Sequence, residues 1–204
     1  MTSDYPLYSA PCVSMRTLVE AELLQIDPFD DLERTHLADA LSWVRSGTQI
    51  FRTARPATPT KHLVSYFVAL DGKYLLLVDH KNARLWLPTG GHVEPNENPR
   101  MTVVRELREE LGLDVELEAV GAPLMVTCST TVGHSAGHTD VSLWYTIRTD
   151  RAQPINFDVE EFNSVQWFPF QDVPFTRSDP NLGRFLEKLN LGRTTVRGDG
   201  SVRR

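Results

Sequence analysis

Hydrophobic residues near the start of the chain recur at helical intervals. From Ser14, apolar side chains spaced three and four residues apart predict a first helix. A second helix is predicted from Asp27, which can cap it, to Gly47, which can end it, with Pro28 in the first helical position. We interpret residues 1–52 as a tail followed by a small helical extension.

Residues 53–61 are rich in threonine and proline and indicate a linker, after which the pattern changes to that of strands. Two runs of β-branched and aromatic residues, 62–70 and 73–79, flank Asp71-Gly72, a dipeptide typical of tight hairpins. Four later strands are predicted near 115–120, 125–131, 141–149 and 165–168, and a terminal helix over 180–191.

One helix in the middle of the chain carries clear boundary signals. Asn98 and Pro99 are typical of a helix start, and Gly112 of a helix end. A helical wheel places four apolar residues on one side, namely Met101, Val104, Leu107 and Leu111, and three acidic residues, Glu106, Glu109 and Glu110, on the other. Strands surrounding one central helix predict an α/β sandwich.

Length and charge narrow the possibilities. The 204 residues suit one domain and an extension, which we divide into the extension at 1–52, the main domain at 53–192 and a flexible tail at 193–204. Lys and Arg total 21 and Asp and Glu total 27, which gives a net charge of −6. This charge disfavours binding to polymeric nucleic acid, because phosphate contacts need a basic surface.

The sequence offers no targeting signal. Its start lacks the basic and apolar regions of a signal peptide, and no run approaches the roughly 18 apolar residues of a membrane span. Cys12 and Cys128 are too few for a disulfide scaffold, so we interpret both as free thiols. A cytoplasmic protein without membrane association is predicted.

The acidic side of the central helix is a candidate metal site. Clustered carboxylates repel one another, and a hard divalent cation such as Mg²⁺ reverses that repulsion. Arg105 precedes Glu109 by four residues, where its planar guanidinium could orient a carboxylate. A solvated acidic face is the alternative interpretation of the same pattern.

The arrangement of residues on both sides of this acidic face favours a metal site over a solvated face. Gly91, Glu97, Arg105-Glu106-Leu107, Glu109-Glu110 and Gly112-Leu113 stand at the intervals G-x5-E-x7-R-E-U-x-E-E-x-G-U, where U is apolar. This arrangement resembles the signature box of the Nudix hydrolase superfamily at every defined position. The resemblance covers about residues 61–190 and implies a Nudix-like α/β/α sandwich with a mixed sheet, here with an N-terminal helical extension. Two departures from the family pattern are Asn96, where glycine is more common, and Thr89, which is inserted before the glycine pair.

The resemblance also implies roles for individual residues. Glu106, Glu109 and Glu110 would bind Mg²⁺, or Mn²⁺ in its place, and Arg105 would orient them. The Gly91 carbonyl is a possible further ligand, and Glu97 would support the loop or bind metal through water. The general base is either a glutamate of the box or a carboxylate from a later loop, for which Glu160 and Glu161 are the candidates.

The implied reaction is hydrolysis of a phosphoanhydride bond in a nucleoside triphosphate or another nucleoside diphosphate derivative, a small-molecule substrate. The alternative is a sensing module that binds a nucleotide or nucleotide sugar without cleaving it. The helices before Gly47 could cover the pocket, form a homodimer contact or pack on the sandwich. The sequence does not choose among these roles.

A glycine-containing segment near the predicted strand at 141–149 contains further polar residues. His134, His138 and Asp140 lie at spacings that suit a transition-metal site, a substrate contact or an ordinary polar loop. All three interpretations stay open at this point.

Overall fold

A mixed β-sheet lies between two layers of helices. The computed structural model describes residues 14–54, 58–130 and 137–198. The strands are β1 (Lys61–Asp71), β2 (Tyr74–His80), β3 (Leu85–Leu87), β4 (Thr89–His92), β5 (Met125–Thr130), β6 (Thr139–Arg148) and β7 (Phe162–Pro169), and the helices are α1 (Met15–Leu24), α2 (Asp31–Arg45), α3 (Pro99–Leu111) and α4 (Leu182–Gly198). Short 3₁₀ turns occupy Leu117–Ala119, Phe170–Asp172 and Phe175–Arg177.

The sheet forks along one edge of β1. Its main path runs β3-β2-β1-β6-β5, with β4 paired to β1 and β7 paired to β2. The β1–β6 pair is parallel and the other pairs are antiparallel. At 11 residues, β1 is long enough to pair with β4 through residues 64–67 and with β2 at Leu70 and Asp71. The space between β2 and β4 is where a pocket opens.

Each face of the sheet has its own hydrophobic core. Leu63, Phe67 and Ala69 of β1 face the side covered by α1, α2 and α3, where they pack with Leu107 of α3. Val68 and Leu70 point to the opposite side, against α4. This alternation confirms the predicted α/β/α sandwich with a mixed sheet.

Within the described residues, no helix combines the length and apolar character needed to cross a membrane.

The N-terminal helices pack on the sandwich. Val19 and Leu23 of α1 and Ala40 and Val44 of α2 are fully buried in the α3-side core, and α2 contacts the edge strand β5. Ion pairs also join these helices to the rest of the chain: Glu22 to Arg100 at 2.9 Å, Asp30 to Arg184 at 2.6 Å and Glu33 to Lys188 at 2.6 Å. Packing is therefore the role that the structure shows for this extension.

Two predicted elements differ from the structure. The second helix is capped by Asp30 rather than Asp27, because Asp30 accepts the Glu33 N–H at 2.7 Å while Arg184 binds the same carboxylate. The strand predicted at 115–120 is instead a 3₁₀ turn, closed by the Val120 N–H donating to the Leu117 carbonyl at 3.0 Å.

Other boundaries follow local signals. Ser14 caps α1 through the Thr17 N–H, and the Asp71-Gly72 hairpin forms with Gly72 at φ 59°. The terminal helix extends to Gly198, beyond the predicted end at 191. Cys128 is a free thiol, whereas Cys12 lies outside the described residues.

Replacement of Lys188 tests how much its ion pair with Glu33 of the extension contributes to stability. Glu33 is fully buried, so Lys188→Met would leave an unpaired charge in the interior, and we expect the free energy of unfolding to fall by about 3–5 kcal/mol. Urea denaturation followed by circular dichroism measures this loss. In the matched control Arg45→Met, which breaks an exposed pair with Glu20, the expected loss is below about 1 kcal/mol. Equal losses in the two variants would contradict the prediction.

Asp30 should make stability sensitive to acid. Hydrogen bonds from Arg184 lower the pKa of Asp30 from 3.8 to about 2. A carboxylate with a depressed folded-state pKa stabilises the fold above its unfolded pKa, and that stabilisation disappears as the pH falls through the folded pKa. The unfolding free-energy difference between the wild type and Arg184→Leu should therefore shrink as the pH falls from 3.8 to about 2. If the difference in unfolding free energy stays constant down to pH 2, Arg184 stabilises the fold through packing and not through the Asp30 ion pair.

Candidate functional site

The helix α3 begins and ends as its sequence predicts. The Asn98 side chain accepts the Arg100 N–H at 2.9 Å, Pro99 occupies the first turn, and Gly112 ends the helix in the left-handed region at φ 63°. These local signals fix the two ends of α3, and the helix between them contacts β4.

The inward face of α3 differs from the predicted one. Val103, Leu107 and Leu111 are buried, whereas Met101 is 42% exposed. Glu110 is also buried, so the prediction of all three glutamates on an outer face is wrong for this residue. It follows Leu107 by three residues and therefore shares the inward stripe, where it meets β4 instead of hydrocarbon.

Arg105 connects the acidic residues. Its guanidinium donates to both oxygens of Glu97 at 2.9 and 3.1 Å, to Glu106 at 2.6 Å, to Glu109 at 3.2 Å and to the His92 carbonyl at 3.2 Å. Hydrogen bonding to Glu97, followed by the charge of Glu106, raises the pKa of Arg105 further above its ordinary value. A permanent positive charge thus lies among three carboxylates.

Glu97 supports the loop before α3. Besides Arg105, its carboxylate accepts the Thr102 hydroxyl at 2.8 Å and the Glu94 N–H at 3.0 Å. Burial alone would raise the pKa of Glu97, but the hydrogen bonds, led by those from Arg105, lower it below its usual range. The loop turns at Asn96 with φ 68°, a conformation that asparagine tolerates in place of glycine.

Two of the glutamates are held in an environment that disfavours their charge. Burial raises the pKa of Glu106, and the opposing Arg105 only partly compensates. Burial, followed by the charges of Glu106 and Glu161, raises the pKa of Glu110 well above its ordinary value. Among the described residues, Glu110 Oε2 has no hydrogen-bond partner despite its burial. Glu109 is more exposed, with 59% of its side chain accessible.

Glycine brings the β4 backbone up to these carboxylates. A Cβ at Gly91 would lie 1.7 Å from Glu106 Oε1, and one at Gly90 would lie 2.4 Å from the Ser65 carbonyl. The residues that meet here therefore offer hard oxygen donors, one of them buried and without a partner. This donor set fits Mg²⁺, which prefers carboxylate, carbonyl and water oxygens.

A pocket opens beside this site in the sheet fork. Its walls are formed by Val64, Tyr66, Val78, His80, Leu87, Pro88, Thr89, Gly90, Gly91, His92, Glu110, Asp140, Glu161 and Phe162. Of the two candidate bases, Glu161 lies on the wall, with its carboxylate 3.4 Å from His80 Nε2. Glu160 is exposed and does not line the pocket. Thr89 is buried at the start of β4.

Four side chains, which we name the histidine cluster, lie close together: His62, His92, His138 and Asp140. Of these, His92 and Asp140 line the pocket. The sheet register explains their proximity. His62 of β1 pairs with Asp140 of β6, and Val64 of β1 pairs with His92 of β4. Because alternate residues of a strand share a face, His62 and Val64 project to one side together with their partners.

The histidine cluster is tightly packed. One potential ligand atom of each residue lies within 4.8 Å of the others, and the His62 and His138 rings stack with centroids 4.9 Å apart. Asp140 Oδ1 lies 3.0 Å from His62 Nε2 and 3.4 Å from His138 Nε2. Burial, followed by the charge of Arg52, lowers the pKa of His92 to about 4, so this ring is neutral at pH 7.

Sequence reasoning found only part of this cluster. His138 and Asp140 were candidates, and His134 lies outside the described residues. His62 and His92 were missed because each is an isolated histidine at a strand end, 30 residues apart in the chain. Only the strand register brings them together, and no local motif encodes that register.

Comparison with known proteins identifies relatives of this chain. A family model for the NUDIX domain matches residues 60–189. The CTP pyrophosphohydrolase of Escherichia coli strain K12 is 46% identical over 55 residues, which span 26% of this chain and 41% of the relative. An uncharacterized Nudix hydrolase of Bacillus subtilis strain 168 is 28% identical over 130 residues, or 63% of this chain and 78% of the relative.

Solved structures share the fold. The Ap4A hydrolase of C. elegans, in a binary complex, superimposes with a TM-score of 0.52 at 17% identity, over 65% of this chain and 98% of that one. At such low identity the likeness concerns the fold alone. Since the NUDIX model matches well over half of the chain, and the intact box lies within the match, this protein belongs to the Nudix hydrolase superfamily.

Proposed function

We propose that this protein is a Mg²⁺-dependent pyrophosphohydrolase that cleaves a phosphoanhydride bond in a nucleoside triphosphate or another nucleoside diphosphate derivative. The observation that carries the proposal is the grouping of the α3 glutamates at the glycine pair: Glu106 lies against Gly91 and Glu110 beside Gly90, while Arg105 binds both Glu106 and Glu109. The partial match to a CTP pyrophosphohydrolase supports a nucleotide substrate.

In this proposal the three α3 glutamates bind the metal ion, which is Mg²⁺ or, in its place, Mn²⁺. The ion, when bound, would neutralise the diphosphate and lower the pKa of a coordinated water. Glu106 and Glu110 suit this role because their burial makes an uncompensated negative charge costly. Glu109, the most exposed of the three, lies nearest to solvent.

Arg105 and Glu97 are positioning residues. Arg105 holds Glu106 and Glu109 by hydrogen bonds and is itself anchored by both oxygens of Glu97. Glu97 has its oxygens engaged by Arg105, Thr102 and the Glu94 backbone, so loop support is the role that its contacts favour. The rigid fork of a guanidinium suits this task, since it fixes carboxylates in direction as well as in distance.

Glu161 is our candidate for the general base. Glu161 lines the same pocket as Glu110, and its charge adds to the effect of burial in raising the pKa values of Glu106 and Glu110. In this role a Glu161 carboxylate oxygen would accept the proton of the water that attacks phosphorus. Glu160 points to solvent, and its backbone N–H donates to Asp158 at 2.7 Å.

Loss of an α3 carboxylate should abolish turnover. We expect Glu109→Gln and Glu110→Gln to lower kcat by about 10²–10⁴-fold, because each removes one negative oxygen from the site where charge is stabilised. The exposed Glu118→Gln variant is the matched control and should keep wild-type activity. Product formation from CTP, other nucleoside triphosphates, nucleotide sugars and dinucleoside polyphosphates with Mg²⁺ is measured by mass spectrometry.

The same panel distinguishes the sensing module from the enzyme. Tight nucleotide binding by the wild type without hydrolysis over hours, with either Mg²⁺ or Mn²⁺, would overturn the proposed activity. Unchanged turnover in Glu110→Gln would overturn the assigned metal site.

Two adjacent glutamates test the choice of base. We expect Glu161→Gln to lower kcat by about 10²–10⁴-fold with little change in KM, since general base catalysis acts on the chemical step. Glu160→Gln should leave kcat unchanged, because its side chain lies outside the pocket. Steady-state kinetics of the wild type and both variants measure these changes in kcat and KM. The opposite pattern in the two variants would identify Glu160 as the base.

A further inference from the structure

The histidine cluster is chemically unlike the glutamate site. It brings three imidazoles and one carboxylate together, and two of them, His62 and His138, are buried. Among the described residues, His62 Nε2, His92 Nε2 and Asp140 Oδ1 are buried atoms without a hydrogen-bond partner. Of these atoms, His62 Nε2 and Asp140 Oδ1 face each other at 3.0 Å. Such groups are rarely left unsatisfied in a folded protein.

The orientation of His62 favours a ligand at the centre of the cluster. Its Nδ1 lies 2.9 Å from the Pro59 carbonyl, which can only accept, so Nδ1–H is the donor. Loss of the proton from Nε2 leaves there a lone pair that faces Asp140 and that a metal ion could take up. Metal-binding histidines commonly donate their second N–H to a backbone carbonyl in this way.

We propose that the histidine cluster binds one divalent transition-metal ion of the zinc class through His62, His92, His138 and Asp140. Three nitrogen donors and one carboxylate oxygen suit Zn²⁺, whereas Mg²⁺ prefers oxygen ligands only. Ligand atoms around tetrahedral Zn²⁺ are separated by about 3.3 Å, given bonds of about 2.0–2.1 Å. The cluster, whose ligand atoms lie within 4.8 Å of one another, would contract by at most about 1.5 Å around the ion.

The site would fasten the strands that form the pocket. His62 belongs to β1, His92 ends β4, and Asp140 lies at the start of β6. The His92 carbonyl accepts a hydrogen bond from Arg105 at 3.2 Å. His92 therefore offers its ring to the proposed ion, and its backbone contacts the arginine that binds the glutamates. The bound ion would thus fix β4 beside α3.

Titration of the full-length protein with Zn²⁺ tests the proposal. After treatment with a chelator, and with neither Mg²⁺ nor nucleotide present, calorimetry should show one Zn²⁺ bound per chain, and Zn²⁺ should raise the Tm. Co²⁺ in its place should give the absorption spectrum of a tetrahedral site with nitrogen and oxygen ligands. Asp140→Asn and His62→Gln should weaken binding more than about 100-fold, since even outer partners of metal ligands contribute about 10–100-fold.

His80→Gln is the matched control. This histidine also lines the pocket but lies outside the cluster, so its replacement should leave one Zn²⁺ per chain. Wild-type protein that binds no Zn²⁺ stoichiometrically would overturn the proposal, whatever the folding of the variants. Stoichiometric binding that survives Asp140→Asn and His62→Gln but is lost in Glu110→Gln would place the ion at the glutamate site instead. Because the titration contains no nucleotide, its outcome is independent of the proposed hydrolysis.

Discussion

The candidate active site depends on one interaction, the binding of several carboxylates by the Arg105 guanidinium. Glu97, Glu106 and Glu109 all accept hydrogen bonds from it, and Glu110 lies on the same side of the pocket without one from Arg105. Four carboxylates against one guanidinium leave an excess of negative charge when all are ionised, and like charges about 4 Å apart repel by about 4 kcal/mol near a protein surface. Burial raises the pKa values of Glu106 and Glu110, and this repulsion adds to the effect. A divalent cation relieves the same repulsion without a proton.

The sheet supplies what α3 cannot provide alone. Because β1 pairs with both β2 and β4 along one edge, the sheet forks, and β4 brings Gly91 under Glu106. The N-terminal extension contributes to the same frame, since Arg100 in the first turn of α3 binds the buried carboxylate of Glu22 from α1. The helices outside the NUDIX match therefore support the helix that holds the proposed metal ligands, although they contribute no residue to the pocket wall.

Local signals predicted much of this structure, and nonlocal contacts account for the rest. Asn98, Pro99 and Gly112 define α3 because capping depends on near neighbours. The start of α2 was misplaced because Asp27 and Asp30 are both plausible caps, and the contact that favours Asp30 comes from Arg184, 154 residues away. The inward position of Glu110 was missed because a helical wheel treats a carboxylate as outward, whereas here the backbone N–H of Gly90 donates to this carboxylate.

Two donor sets of opposite character meet at His92. Its carbonyl accepts from Arg105, on the side of the hard oxygen ligands, and its neutral ring lies among nitrogen donors. Zn²⁺ and Mg²⁺ differ in ligand preference, so the two sets can select different ions from a mixture even though they share a pocket wall. The strand between them is only four residues long, from Thr89 to His92, and its two glycines are closely packed against neighbouring atoms. If the histidine cluster binds the ion proposed for it, a shift of the His92 ring would act on the same short strand whose Gly91 lies against Glu106.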